Sequence, residues 1–271
     1  MMLKDAAKQV LGKSRADAIS YRRRLAAYGE AYLKPLGWDR SVVSRQAEDR
    51  DGPVPWITYP ALRMLERVVR PHFRVFEYGA GNSSLWWAAR VAEVVAVEHD
   101  PIWAELVATR APANLRVLAR PMGAPVAEPG AALVVEFLAA HPDPPLSGDE
   151  AKDIADGLVW EPFAAYLGAL AGYPAGWFDV VVVDGMARAP AAWLAARLAA
   201  LDGLVVFDNA DRWQYNAGYE ALAAAGFARL DFYGTRPVLV DESSTAIFTR
   251  SLDWARVAPI IARGRTSDLQ W

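Results

Sequence analysis

The sequence predicts a doubly wound α/β sheet, and three observations carry that expectation. Short β-branched runs alternate with helix-like segments from residue 73 to residue 225. The runs at 178–184 and 203–208 are apolar almost without interruption, as strands covered on both faces are. The first run, Phe73-Arg74-Val75-Phe76-Glu77-Tyr78, leads directly into a glycine-bearing turn and then a helix-like segment.

In chain order, residues 1–34 read as helix, because Val10, Leu11, Ile19, Leu25 and Tyr28 recur at helical spacing between basic residues. Up to Leu25 the segment carries seven basic residues (Lys4, Lys8, Lys13, Arg15, Arg22, Arg23, Arg24) against Asp5 and Asp17. Such a balance suits either an acidic partner or membrane surface, or simply a solvated helix face on an N-terminal extension. The expected layout is a helical extension over 1–52 and a main domain over 53–271. Residues 46–60 are a loop containing Gly52-Pro53-Val54-Pro55-Trp56, and a helix over Ala61–Val69 stops before Pro71. Strand 73–78, helix Ser84–Val91, strand Val94–Glu98, helix Pro101–Arg110 and strand Leu115–Leu118 follow.

Residues 121–176 break the rhythm. Pro- and Gly-rich pieces bracket the apolar run Ala131–Ala140, and Glu161–Ala171 looks helical. An insertion of about 50 residues is long for a connection, and the expectation is a lid or substrate wall. Alternation resumes with strand 178–184, helix Pro190–Leu201, strand 203–208 and helix Tyr215–Ala225. Two last strands, Ala228–Tyr233 and Thr245–Thr249, are joined through Gly234-Thr235-Arg236-Pro237.

Composition narrows the chemistry. The 271 residues include 29 Lys plus Arg and 32 Asp plus Glu, for a formal charge of −3, with 0 Cys and 3 His. This removes thiol nucleophiles, disulfide frameworks and Cys-based zinc sites. His72, His99 and His141 show none of the close spacings of zinc enzymes. A near-neutral charge argues against a bulk nucleic-acid binder, and no apolar run approaches the ~20 residues of a membrane span. The longest candidate, Ala191–Phe207, is broken by Arg197 and Asp202. Charges throughout Met1–Leu25 speak against a secretory signal, and the expected location is the cytoplasm. The oligomeric state is left open.

The strongest chemical signal is Phe76-Glu77-Tyr78-Gly79-Ala80-Gly81-Asn82-Ser83-Ser84, between strand and helix. Gly79 and Gly81 permit a tight turn and close approach of a ligand to the backbone. The following helix start offers free N–H groups to an anion. Glu98 ends the next strand, placed to accept hydrogen bonds from ribose hydroxyls. A dinucleotide and S-adenosylmethionine both fit such a turn. Dinucleotide sites want glycine where this chain has Ser84, and Glu77 would repel their phosphates. Glu77 suits a ligand bearing a sulfonium and an ammonium, whose carboxylate can sit at Asn82–Ser84.

Glu77-x-Gly79-x-Gly81, then Glu98, then Asp184 and Asp208 ending two later strands, resembles the class I S-adenosylmethionine-dependent methyltransferases over about residues 55–250. The resemblance implies a Rossmann-like sheet of seven strands whose last, here Thr245–Thr249, is antiparallel. It further implies that Glu77, Gly79, Gly81, Asn82, Ser83 and Ser84 hold the methionine part and Glu98 the ribose, with Asp184 also at the cofactor. Trp56, Thr58 and Tyr59 stand where this family often covers the cofactor. One departure follows the third strand: the family often has an acidic or polar adenine contact there, and this chain reads Leu118-Ala119-Arg120-Pro121-Met122.

Asp184, with Asp208-Asn209, forms a second set at the ends of adjacent central strands. Three oxygen ligands would suit magnesium, and the pattern is similar to the catechol and caffeoyl-CoA O-methyltransferases. That resemblance implies a metal that acidifies a substrate hydroxyl. Those enzymes carry a lysine shortly after the first Asp, whereas here Gly185-Met186-Ala187-Arg188 follows, and an arginine cannot act as base. The other reading has Asp184 orienting the cofactor and Asp208-Asn209 capping a turn. Aromatic residues Trp160, Phe163, Tyr166, Trp213 and Tyr215 are either a wall for the acceptor or packing.

The expected function is methyl transfer from S-adenosylmethionine to a small-molecule acceptor, foremost a hydroxyl, with Asp184 and Asp208 nearest the reacting centre and magnesium as an optional second cofactor. The alternatives are a non-catalytic S-adenosylmethionine- or nucleotide-binding module and a dinucleotide oxidoreductase. The last is disfavoured by Glu77 and by the lack of a Tyr-x-x-x-Lys pair in the core.

Overall fold

The computed structural model describes residues 17–127, 130–141 and 158–251. The strands are β1 (Arg74–Tyr78), β2 (Glu93–Glu98), β3 (Leu115–Ala119), β4 (Phe178–Val183), β5 (Ala199–Asp208), β6 (Ala228–Gly234) and β7 (Ser243–Thr249). They form one seven-stranded sheet in the order β3-β2-β1-β4-β5-β7-β6. The first five are parallel, and β7 runs antiparallel to both its neighbours, β5 and β6. This is the doubly wound, Rossmann-like arrangement with an antiparallel last strand that the sequence led us to expect. The chain leaves β1 toward β3 on one side and returns through β4 on the other. The crevice between β1 and β4 is therefore the switch point at which such sheets bind ligands.

Alternation along the strands builds two layers. Phe76, Tyr78, Val95, Val97, Val181, Val183, Val205 and Phe207 face one core. Helices α6 (Gly130–Ala140), α7 (Ala164–Gly168), α8 (Arg188–Leu198) and α9 (Asn216–Ala224) cover it with Phe137, Tyr166, Leu194 and Leu222. Val75, Val94, Ala96, Val180, Val182 and Val206 face the other core. There α3 (Tyr59–Val68) supplies Leu62 and Leu65, and α4 (Asn82–Ala88) supplies Trp86 and Trp87. The same alternation sends Glu77 into this second layer, between Phe76 and Tyr78 on the first.

Three details differ from the sequence reading. First, the N-terminal helix α1 spans 17–28, with every residue exposed, and gives way to tighter and wider turns up to Gly37. Residues 1–16, with Lys4, Lys8, Lys13 and Arg15, lie outside the described residues. A short helix α2 (Trp38–Ser44) follows, and Leu36 and Ala47 are buried in the second core. Second, the described part of residues 121–176, expected as a lid or substrate wall, packs into the sheet. Val134, Phe137, Trp160, Phe163, Tyr166, Leu167 and Leu170 are buried in the first core. These apolar side chains cover the β1–β4 face, which would otherwise meet water. Residues 142–157 lie outside the described residues. Third, α8 ends at Leu198 and β5 starts directly at Ala199. The register between β4 and β5 slips, Phe178 facing Ala199 while Val180 faces Leu204, so extra residues on β5 are taken up as a bulge. Helix α5 (Pro101–Ala108) lies beside β2 and β3. Among the described residues no helix is long and apolar enough to cross a membrane.

Candidate active site

A cavity of about 550 Å³ opens at the carboxyl ends of β1, β2 and β4. Its floor is Glu77 and the turn Gly79–Ser83; Glu98, His99 and Asp100 form one side, and Asp184, Gly185, Met186 and Arg188 the other. Trp103 and the segment containing Arg45, Gln46, Ala47, Val54 and Trp56 complete the wall.

The turn is shaped by backbone demands. Gly79 has φ +99, and a Cβ there would lie 3.1 Å from the Asp184 carbonyl oxygen. Its N–H donates to the Val97 carbonyl at 2.9 Å, so the chain stays tied to β2 as it leaves β1. Gly81 is extended, and a Cβ there would have only the tip of Trp103 nearby, at 4.0 Å. The Gly81 N–H donates to Ser84 Oγ at 3.1 Å, and Ser84 Oγ in turn donates to Glu77 Oε2.

Glu77 is 1% exposed, and its Oε1 has no hydrogen-bond partner among the described residues. Burial pushes its carboxyl up to about 7; Ser83 and Ser84 oppose this, and the charge of Glu98 adds to it. A buried carboxylate with a free oxygen and no ion pair among the described residues is a site prepared for a positive ligand. Glu98 is the opposite case. Its Oε1 accepts from the His99 N–H at 2.8 Å and the Asp100 N–H at 3.0 Å, and its Oε2 from the Ala80 N–H at 3.1 Å. Burial raises its pKa, but the His99 side chain and these amides outweigh it and hold the carboxyl below its ordinary value.

The structure sorts the other expected cofactor residues. Ser83 lines the cavity. Asn82 does too, but its side chain is committed: Nδ2 donates to the Ala47 carbonyl at 2.9 Å, and Oδ1 accepts from Arg110 at 3.1 Å. It fastens the N-terminal segment over the turn. Trp56 lines the cavity, whereas Thr58 and Tyr59 do not. Thr58 N–H donates to Thr245 Oγ1, its hydroxyl to the Phe232 carbonyl, and Tyr59 N–H to the Thr235 carbonyl. These two residues pin the segment to β6, β7 and the link between them, because their backbone groups are buried and need partners.

Trp103 was not singled out by the sequence. Asp100 caps α5 by accepting from the Ile102 and Trp103 N–H groups, and Pro101 opens the helix. Trp103 then turns toward the glycine turn and donates from Nε1 to the Ala80 carbonyl at 2.6 Å. The Asp-Pro helix start was a legible sign of that placement. Trp213 and Tyr215 do not line the cavity, and Trp160, Phe163 and Tyr166 are core residues.

Asp184 lines the cavity; Asp208 and Asn209 do not. Arg188 stands between the two acids. It donates from Nη2 to Asp184 Oδ1 at 3.1 Å, from Nε to the Gly185 carbonyl at 2.9 Å, and from Nη1 to the Asp208 carbonyl. Its Nη1 is also 3.9 Å from Asp208 Oδ2. Asp208 Oδ1 accepts from Thr245 at 2.7 Å, and Asn209 Nδ2 is spent on Ser243. Burial raises both acids above their ordinary values; Asp208 raises Asp184 further, and Arg188 opposes the shift in each. Arg188 opens α8, where the helix dipole disfavours a cation, so the two carboxylates are what hold it there. Ala187 reaches this position at φ 49, a strained conformation for a residue with a Cβ.

This arrangement gives no support to the expected magnesium site of Asp184, Asp208 and Asn209. A fixed guanidinium occupies the space between the acids, and Asn209 points its donor group at Ser243. Among the described residues, no three His, Cys, Asp or Glu side chains are disposed to hold a metal ion. The donor set as built does not fit a divalent cation.

No protein-family model matches the chain, and no curated protein does. Among solved structures it is similar to a TehB-like SAM-dependent methyltransferase from Corynebacterium glutamicum, 14% identical over 88% of this chain and 100% of that one, with a TM-score of 0.38. It is also similar to a methyltransferase-like protein from Silicibacter pomeroyi, 22% identical over 74% of this chain and 90% of that one, at 0.39. A spermidine synthase from Thermotoga maritima is 10% identical over 68% of this chain, which spans 55% of that protein, at 0.40. At such scores no activity is read from these likenesses, and the fold rests on the strand order itself.

Proposed function

We propose that the chain is an S-adenosylmethionine-dependent methyltransferase acting on a hydroxyl of a small molecule. The observation that carries this reading is Glu77, a buried carboxylate with an unpartnered oxygen on the floor of the switch-point cavity. A dinucleotide would bring phosphates to this floor and be repelled. A ligand with an ammonium and a sulfonium meets the charge it needs.

Glu77 and the Gly79–Ser83 turn would hold the methionine part, Glu98 the ribose, and Trp56 and Trp103 would exclude water from the cavity. When bound, the cofactor supplies an activated methyl group on a sulfonium. The chain's own task is to orient the acceptor and remove its proton. Of the two acids paired with Arg188, Asp184 is the one that lines the cavity, and burial raises its basicity. Asp208 would act through Arg188, holding the guanidinium beside Asp184. The reading uses no metal.

Calorimetric titration tests it. S-adenosylmethionine should bind and NAD should not, and Glu77→Gln should weaken S-adenosylmethionine by about tenfold or more. Binding should also release protons near neutral pH, because a cation beside Glu77 lowers a carboxyl that sits at about 7 in the free protein. NAD binding without S-adenosylmethionine binding would establish the oxidoreductase alternative instead. Cofactor binding without methylation of any acceptor in a hydroxyl-compound panel would leave a binding module.

A further inference from the structure

The ribose end of the cavity is short of acceptors on Glu98 alone. The donors already on Glu98 are unevenly shared. Oε1 takes two backbone N–H groups and lies 2.6 Å from His99 Nδ1. Oε2 takes only the Ala80 N–H, so it is the oxygen with room for a further donor, and for about one. A ribose presents two adjacent hydroxyls.

His99 has what is missing. Glu98 is held in its ionised form by the groups around it and can only accept, so His99 Nδ1 must donate to it. In the tautomer that bond selects, the ring's open acceptor is Nε2. That nitrogen has no hydrogen-bond partner among the described residues, and the imidazole, 30% exposed, lines the cavity. Its orientation is set on the protein side, where the ring meets Phe163 and Tyr166 edge-on at centroid distances of 5.7 and 6.3 Å. A residue locked at one nitrogen and packed on two aromatic rings is prepared to receive a hydrogen bond at the other.

We propose that the ribose diol is shared between two residues, one hydroxyl donating to Glu98 Oε2 and the other to His99 Nε2. The proposal rests on the reading of the cavity as an S-adenosylmethionine site. It makes His99 a cofactor-binding residue, and it gives the buried pair Phe163 and Tyr166 the task of holding the imidazole in register.

The probes are S-adenosylhomocysteine and its 2′-deoxy and 3′-deoxy forms, titrated calorimetrically into the full chain. The wild-type protein should lose about tenfold in affinity with either deoxy form, the worth of one well-made hydrogen bond. His99→Phe keeps a ring against Phe163 and Tyr166 and removes both nitrogens. It should bind S-adenosylhomocysteine about tenfold more weakly and become indifferent to loss of one hydroxyl while still sensing loss of the other. His99→Gln, which retains an acceptor, should recover part of the affinity. Thermal unfolding of each variant shows that it is folded, and the wild-type series with deoxy probes stands even if one is not. Equal affinity of the wild type for all three probes overturns the proposal. So does a His99→Phe variant that distinguishes both hydroxyls as the wild type does. Wild-type protein that binds no S-adenosylhomocysteine overturns the proposal together with the reading beneath it, whereas tight binding that is unchanged in His99→Phe removes the proposal alone.

Discussion

Asp184 and Asp208 share one guanidinium, and their different surroundings separate their roles. Asp208 has Thr245 on one oxygen and Arg188 near the other, and it lies away from the cavity. Asp184 accepts from Arg188 through Oδ1 and borders the cavity. Its carboxyl is raised by burial and by Asp208, which brings a weak base closer to neutral strength. Asp184→Asn should therefore lower kcat by about a hundredfold or more while cofactor Kd changes far less. Steady-state kinetics beside calorimetry separate the two, and an unchanged kcat would remove Asp184 as the base. Arg188→Met tests the other member. It keeps the length of the side chain and leaves two buried acids without their cation, which should cost about 3 kcal/mol in denaturant unfolding at neutral pH. The deficit should shrink on acidification, because both acids then take up protons. A loss that is the same at every pH would mean that packing, not charge, is what Arg188 contributes.

At the scale of elements, the β1–α4 turn makes a contrast between its two glycines. Gly79 combines φ +99 with backbone of Gly185 and Asp184 within 3.3 Å of where a Cβ would stand. Gly79→Ala should destabilise the fold by about 1–3 kcal/mol. Gly81 is extended with room for a methyl, so Gly81→Ala should change stability by less than about 0.5 kcal/mol. It should nonetheless weaken S-adenosylmethionine, because the added methyl enters the cavity. A Gly81→Ala protein with full affinity would mean that the ligand does not approach this turn. The turn was legible in the sequence because strand alternation, a glycine pair and a helix start are local patterns. Glu98 was legible for the same reason, as an acid ending the next strand. What failed to show were contacts made across the chain: Asn82 is spent on Ala47, and Thr58 bonds β6 and β7. Residues 121–176 looked like a lid because a long connection is often one. Yet Phe163, Tyr166, Leu167 and Leu170 fall at helical spacing, and that pattern marks a buried face. The metal expectation finds no support because Arg188, which the sequence showed in place of the usual lysine, bonds Asp184 and stands 3.9 Å from Asp208, a pairing made only in the fold.

The whole molecule holds Glu77, Asp184 and Asp208 inside, each with a raised carboxyl. The sign of the consequence is fixed by linkage. Unfolded Glu77 loses its proton near 4.5, and folded Glu77 keeps it until about 7. Between those values the folded state binds more protons than the unfolded one, so stability falls as pH rises through this window. Glu77 alone can account for about 3 kcal/mol of that fall, and the two aspartates act in the same direction. The loss is built into a ligand-free site, since a bound cation would pair with Glu77 and bring its carboxyl back down. The ligand should accordingly stabilise the protein more where Glu77 must otherwise ionise unpaired. Thermal unfolding from about pH 5.5 to about pH 8 should show Tm of the free protein falling with pH, and the upward shift given by saturating S-adenosylmethionine growing. In Glu77→Gln both trends should flatten. A ligand-induced shift that is constant across the range would mean that Glu77 does not face the cation, and the cavity floor would need another explanation for its unpaired oxygen.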